Sequence, residues 1–391
     1  MSENAVIAML GRRLRLGVIG GGGSSLIGPI HRLAARSDDY YELVAGVLSS
    51  NAERSEDNAA KLGISRSYAS VDEMIAGEGA REDRVDVIAI MSPDDTHVPY
   101  AIKALEAGFH VVCEKPLSTR LEDARRVAEV ARASGSELCL VHNYSGYPMV
   151  REARAAVAAG ELGRVHLVVV TYLQGALGTM VEADPDQMPS RLKWRLDPSR
   201  GGQSHALSDI GSHAHHLTRY ITGEEVTDVF ADLGAAIAGR MVHDSASVLI
   251  RLGNGARGSI IASKAASGAV NRFSIEVYGD KAGLVWDQAN ANELQITRQG
   301  QPAETRMVGL PTLHPLTKKA VQRTGAFPGG FVEAFANIYS DFAEIVAARI
   351  AGCSPNPLTR QIPGVDDGVA GLMFIDACIT SSKEVSWRRC S

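Results

Sequence analysis

The segment Gly201-Gly202-Gln203-Ser204-His205-Ala206-Leu207-Ser208-Asp209-Ile210-Gly211-Ser212-His213 holds the side chains needed to move a proton. A helix predicted from near Ser208 or Asp209 to Tyr220 sets Asp209 and His213 four residues apart on one face, within reach of each other. Imidazole titrates near neutrality, so His213 suits general-base work. A carboxylate beside it orients the ring and lowers the cost of accepting a proton. Oxidation of an alcohol demands such a base, because the hydroxyl proton must leave as its carbon loses hydride. Two plainer readings stand beside this one: Asp209 as a helix cap, and His213 as a satisfied interface histidine. His213 and His216 share a helical face, which raises the question of zinc. No HExxH run or cysteine set accompanies them, and no metal is expected.

Lys115 is the second chemical group. It follows the short apolar run His110–Cys113 and precedes Pro116, at a sheet edge where a ligand would lie. An ammonium there can donate to a reacting oxygen and stabilise alkoxide character, with Glu114 placed to position it. The plainer reading is a solvated surface lysine. The third feature is the glycine loop Gly17-Val18-Ile19-Gly20-Gly21-Gly22-Gly23-Ser24-Ser25-Leu26-Ile27-Gly28. Gly20, Gly22, Gly23, Ser24, Leu26, Ile27 and Gly28 are assigned to a cofactor pyrophosphate, since glycines permit close backbone approach and a helix start attracts the anion. The spacing departs from GxGxxG, with five residues between Gly22 and Gly28. After the next apolar run, Ser49, Ser50 and Asn51 stand where an acid often holds ribose hydroxyls, and Arg54 follows. Serines suit a free ribose and Arg54 suits a 2'-phosphate, so NAD and NADP both remain open.

These groups need elements to hold them. Leu14–Gly20, Leu43–Leu48, Val85–Met91, His110–Cys113 and Leu138–His142 read as buried strands, separated by helical patterns such as that between Thr96 and Gly108. Strands alternating with helices imply an α/β domain with a parallel sheet, its ligand crevice beyond the carboxyl ends of the strands. After about residue 150 the pattern changes. The run Val165–Leu173, the pair Val248–Leu252 and Gly258–Ala262 around Asn254-Gly255, and Phe273–Tyr278, Gly283–Trp286 and Leu294–Thr297 predict an α+β domain with a large, mostly antiparallel open sheet. One face of such a sheet needs covering, which points to a homodimer or homotetramer. The expected domains are 1–148 for the dinucleotide and 149–391 for substrate and oligomerisation, with a C-terminal helix packing back on the first. Gly175–Arg200 reads as a substrate-facing loop, and Trp194, Arg195 and His314 are substrate candidates from polarity and position.

Composition narrows the function classes. The chain has 391 residues, 45% hydrophobic and 22% charged, which suits two globular domains. A formal net charge of -5 supplies no global field for nucleic acid. No apolar stretch is long enough for an ordinary transmembrane helix. Five scattered cysteines without a CxxC pair point to a reducing compartment, and the cytoplasm is expected.

The segments GVIGGGG at 17–23, SPDDTH at 92–97, ALEAGFHVVCEKPLS at 104–118 and GGQSHALSDIGSH at 201–213 together resemble the glucose–fructose oxidoreductase / inositol dehydrogenase / rhizopine catabolism (Gfo/Idh/MocA) family. The resemblance covers nearly the whole chain and is sharpest at Glu114-Lys115-Pro116. It implies a Rossmann domain followed by an open-sheet domain, and NAD(P)-dependent oxidation of a secondary alcohol on a sugar, cyclic polyol or glycoside. In those terms Lys115 looks like the catalytic lysine, and Asp209 with His213 like the pair that contacts the reacting hydroxyl. Ser92, Pro93 and His97 look like the segment lining the nicotinamide side. The sequence departs from the family in its longer glycine loop, in Asn143-Tyr144-Ser145-Gly146-Tyr147 lacking an arginine, and in His216 standing where an aspartate is common. Asn143 and Tyr147 are expected to meet substrate. Two rival activities stay open: an NAD-dependent glycoside hydrolase or lyase that oxidises its substrate transiently, and a non-catalytic dinucleotide-binding regulator.

Overall fold

Short apolar runs, too brief for helices, become parallel strands, and Val87–Met91, His110–Cys113 and Leu138–Leu140 are buried along their whole length. The computed structural model describes residues 4–23, 25–184, 186–321 and 327–391. Strands β1 (Leu14–Gly20), β2 (Tyr41–Val47), β3 (Arg66–Ser67), β4 (Val87–Met91), β5 (His110–Cys113) and β6 (Leu138–Leu140) form one parallel sheet in the order β3-β2-β1-β4-β5-β6. The order reverses between β1 and β4, and this is the point where α/β sheets open a crevice at their carboxyl ends. Gly20 pairs with Met91 there, so the glycine loop and the Ser92-Pro93 turn leave the sheet side by side.

The chain divides into two units. One takes Met1–Ser118, Glu122–Gly146 and Phe331–Val369; the other takes Thr119–Leu121, Tyr147–Gly330 and Ala370–Ser391. Phe335, Tyr339, Phe342 and Val346, on the long helix Phe331–Ile350, are buried in the same apolar cluster as Leu14, Leu16 and Val18 of β1. Their contribution to the core lies far along the sequence, where local pattern cannot assign it to a unit.

The second unit is built on strands β7 (Val165–Leu173), β8 (Val226–Gly234), β9 (Ser245–Leu252), β10 (Arg257–Ser263), β11 (Arg272–Gly279), β12 (Gly283–Asp287), β13 (Glu293–Thr297), β14 (Glu304–Met307) and β15 (Arg388–Arg389). They lie in the order β14-β13-β12-β11-β7-β10-β9-β8-β15, and only β7 with β10 is parallel. Alternate residues of β9 are buried and exposed, as period-two side chains on a half-covered sheet must be. Helices Pro148–Ala158 and Ser212–Thr222 pack on the buried face. The Asn254-Gly255 connection between β9 and β10 is longer than the tight two-residue turn expected. Gly253–Ala256 intervene, Gly255 takes φ 86°, and the Asn254 side chain accepts from the Ala256 N–H at 2.8 Å.

The Gly175–Arg200 excursion carries a small core of its own in Leu177, Leu196 and Val242. Arg240, whose side chain is fully buried, fastens it. Its guanidinium donates to Glu182 (2.8 Å), Asp244 (2.8 Å) and the carbonyls of Leu177 (2.8 Å) and Thr179 (2.7 Å). Removing one partner of a buried ion pair strands the other charge. Arg240→Met is expected to lower unfolding stability by about 3–5 kcal/mol, as measured by urea denaturation; a loss below about 1 kcal/mol would contradict this role.

Candidate active site

Backbone sterics shape the glycine loop. Gly20 adopts φ 82°, and a Cβ there would stand 2.8 Å from the Met91 carbonyl oxygen. The second close approach is at Gly28, on helix Ile27–Arg36. A Cβ at Gly28 would meet the Gly21 carbonyl oxygen at 2.2 Å, so only glycine lets this helix reach the loop. Gly22 and Gly23 run beside Asn58, which sequence reasoning did not single out. The loop is closed by Ser25, whose hydroxyl accepts from the Gly28 N–H at 3.0 Å, and by Arg32, which donates to the Gly21 carbonyl at 2.6 Å. Leu26 caps the helix without a side-chain hydrogen bond and is exposed, with Ile27 next to it. A tight glycine turn ending at a helix start fits a dinucleotide pyrophosphate. Ser24 lies outside the described residues.

At the tip of β2, the Ser49 hydroxyl accepts from the Asn51 N–H at 3.1 Å, and Asn51 caps helix Ala52–Leu62 by accepting from the Arg54 N–H at 2.9 Å. Ser50 and the Arg54 side chain are exposed. No carboxylate stands among Ser49, Ser50 and Asn51.

Beyond β4, the Thr96 hydroxyl donates within the Ser92-Pro93 turn, to the Pro93 carbonyl at 2.7 Å. His97 is fully buried, and its ring reaches two carbonyls: Nδ1 lies 2.8 Å from that of Pro116 and Nε2 3.0 Å from that of Ser92. Both nitrogens are thus engaged by the protein. His97 thereby ties the turn after β4 to the segment carrying Lys115.

Lys115 stands two residues past β5, before a cis peptide bond to Pro116. Its backbone N–H donates to Glu114 Oε2 at 3.3 Å. The other oxygen of Glu114 meets His31 Nε2 at 2.9 Å, and His31 Nδ1 lies 2.7 Å from the Tyr339 hydroxyl. Burial pushes the Glu114 carboxyl up, but the His31 hydrogen bond and the charges of His31, Lys115 and His97 hold it below the ordinary value. Glu114 is therefore a carboxylate, oriented by a buried chain of groups beside the lysine. His31 and Tyr339 were missed. Their separation of 308 residues leaves no local signal. The turn Asn143–Gly146 follows in this unit, and Asn143 is buried within it.

In the second unit, the expected helix from Ser208 to Tyr220 is two pieces. Ala206–Gly211 forms a wider π-helical turn, and the α-helix runs from Ser212 to Thr222. The Ser212 hydroxyl donates to the Ser208 carbonyl at 2.9 Å, satisfying backbone that the wide turn displaces. Asp209 sits in that turn and His213 in the first turn of the α-helix, with the His213 ring buried 6.4 Å from the Tyr172 ring. Lys264 donates to the Asp209 carboxylate, and His205 Nε2 lies 3.9 Å from it. Lys264 was missed, because it lies 55 residues from Asp209. Burial and then the Arg219 charge push both His215 and His216 well below the ordinary imidazole value. Their rings go separate ways, His215 onto Phe374 and His216 onto Tyr220. Among the described residues no cluster of three or more side chains could hold a metal ion.

Two of the substrate candidates make close contacts within the second unit. Tyr147 is buried with its ring 5.4 Å from Trp286. His314 binds Glu152 twice, through Nδ1 at 2.9 Å and its backbone N–H at 3.0 Å, and Thr317 and Arg306 crowd the same carboxylate. Arg195 lies 4.4 Å over the Trp194 ring, so these two are partners of each other, and both are partly exposed.

Known proteins resemble this chain over most of its length. Residues 14–142 match the family model described as oxidoreductase family, NAD-binding Rossmann fold, and residues 150–285 match the GFO/IDH/MocA C-terminal domain. An uncharacterized oxidoreductase, YfiI, of Bacillus subtilis is 30% identical across 97% of both chains. Levoglucosan dehydrogenase of Pseudarthrobacter phenanthrenivorans is 27% identical, over 96% of this chain and 98% of its own. An inositol dehydrogenase homolog of Azotobacter vinelandii, solved with NADH and myo-inositol, superposes with a TM-score of 0.88 at 30% identity, covering 97% of this chain and 98% of that one. If the loop works through close backbone approach, Gly28→Ala weakens NAD binding at least about tenfold by calorimetry while the far-ultraviolet circular dichroism is kept; unchanged affinity would refute the assignment.

Proposed function

The chain belongs to the Gfo/Idh/MocA oxidoreductase family with an NAD-binding Rossmann fold, and on that premise we propose that it oxidises a secondary alcohol of a sugar or cyclic polyol. The observation that carries the reading is the placement of Lys115 on the same carboxyl edge as the glycine cradle, one strand from the switch point. NAD, when bound, supplies the acceptor for the substrate hydride. Gly20, Gly22, Gly23 and Gly28 would hold its pyrophosphate, and Ser49 and Ser50 its ribose. Lys115 donates a hydrogen bond to the substrate oxygen and stabilises alkoxide character as the hydroxyl proton departs. His213, with Asp209 orienting it, takes that proton at a ring nitrogen. Trp194, Arg195 and Asn143 are kept as substrate contacts. Relatives with levoglucosan and myo-inositol in their names or complexes support the substrate class.

The same reading includes a cytoplasmic homo-oligomer. On the open face of the second sheet, Leu249 of β9 pairs with Ser259 of β10, Leu167 of β7 pairs with Arg257, and Ile261 pairs with Thr171. Leu167, Leu249 and Ile261 are exposed there, an apolar surface suited to a second copy. Sedimentation equilibrium is expected to give a dimer or tetramer, and Leu249→Lys to shift it toward monomer; a native monomer would refute this part.

The activity is tested by following absorbance at the reduced nicotinamide band with NAD or NADP against inositols, aldoses, anhydrosugars and glucosides, with product analysis. His213→Ala is expected to lower kcat at least about a hundredfold with little change in NAD affinity. Turnover near the native rate in that variant would remove His213 as the base. Release of an aglycone without net cofactor reduction would replace simple oxidation by redox-neutral cleavage.

A further inference from the structure

We infer that Lys264 is a positioning residue that keeps His213 competent as a base by neutralising Asp209, an inference that rests on the role proposed above for His213. Lys264 follows β10, and its backbone is held on both sides. Its N–H donates to the Asp244 carbonyl at 2.8 Å, and its own carbonyl accepts from Leu177 at 3.0 Å. The residue is only 7% exposed. A lysine this buried costs stability unless its charge is compensated. The compensation is specific: Nζ donates to the Asp209 carboxylate and to the side-chain oxygen of Gln174. Gln174 is fixed in that orientation because its amide nitrogen donates to Asn271 Oδ1 and lies 3.4 Å from the Tyr172 hydroxyl.

The consequence is electrostatic. Asp209 meets Lys264 at the end of β10 and lies 3.9 Å from His205 Nε2 before the π-turn; His213, four residues on in the first turn of the α-helix, is the imidazole it orients in the role proposed above. Asp244, whose carbonyl accepts from the Lys264 N–H, has its carboxylate bound to Arg240 at 2.8 Å. An uncompensated Asp209 would hold a proton on the adjacent imidazole, and a protonated imidazole takes no proton from an alcohol. The ammonium of Lys264 offsets that pull while leaving the carboxylate able to orient the ring. Lys264 thus acts through Asp209 rather than on substrate.

The test compares native protein with Lys264→Gln, Lys264→Arg, Asp209→Asn and the Asp209→Asn/Lys264→Gln double variant. Two readouts are used: the pH dependence of kcat/KM, and histidine titration by NMR on ligand-free protein, with His213 identified from the His213→Ala spectrum. Lys264→Gln is expected to move the acid limb of kcat/KM to higher pH. The loss is then about tenfold near pH 6 and nearly absent near pH 9, and the His213 midpoint rises in parallel. Lys264→Arg restores the native profile, and in the Asp209→Asn background Lys264→Gln moves neither readout further. An equal loss at every pH, or an unmoved His213 titration, overturns the inference and makes Lys264 structural. Should Lys264→Gln not fold, a native His213 midpoint unchanged between Asp209→Asn and native protein overturns it equally, since no coupling would then exist to offset. Native-like turnover in His213→Ala marks the separate failure of the base assignment.

Discussion

The close backbone contact at the switch point is the constraint on which the first unit depends. Gly28 sits on Gly21, where any side chain would strike a carbonyl oxygen, and Gly20 turns against the end of β4. These contacts bring a helix start, a strand tip and the Ser92-Pro93 turn to one edge. A pyrophosphate needs backbone donors at short range, and bulkier residues would hold the chain away from it.

Around that edge, buried histidines act as ties. His97 connects the carbonyls of Ser92 and Pro116, and His31 connects Tyr339 with Glu114. Each reaches from one element to another with both ring nitrogens engaged, which fixes the ring rotation as well as its position. Lys115 gains a defined backbone from this arrangement.

The second unit solves a different problem, that of keeping ionised groups away from water. Arg240 with Glu182 and Asp244, Arg306 with Glu152 and Glu161, and Lys264 with Asp209 are three such groupings. The first fastens an excursion and the second fastens the segment around His314. The third differs in lying against the π-turn that leads into His213. Wide helical turns often occur at functional sites, where they redirect a side chain at a modest hydrogen-bonding cost.

Local pattern carried the strands, the glycine loop and the candidate chemical residues, because each depends on neighbours within a turn or a strand length. Strand β5 and strand β7 have the limits that apolar periodicity predicts. The structure alone decided what lies far apart in sequence. It joined Lys264 to Asp209 and His31 to Tyr339. It also gave Tyr147 and His314 partners that lie far along the chain, Trp286 and Glu152. A residue's type states which bonds it can make, but burial and the partners brought by the fold determine which of them it makes.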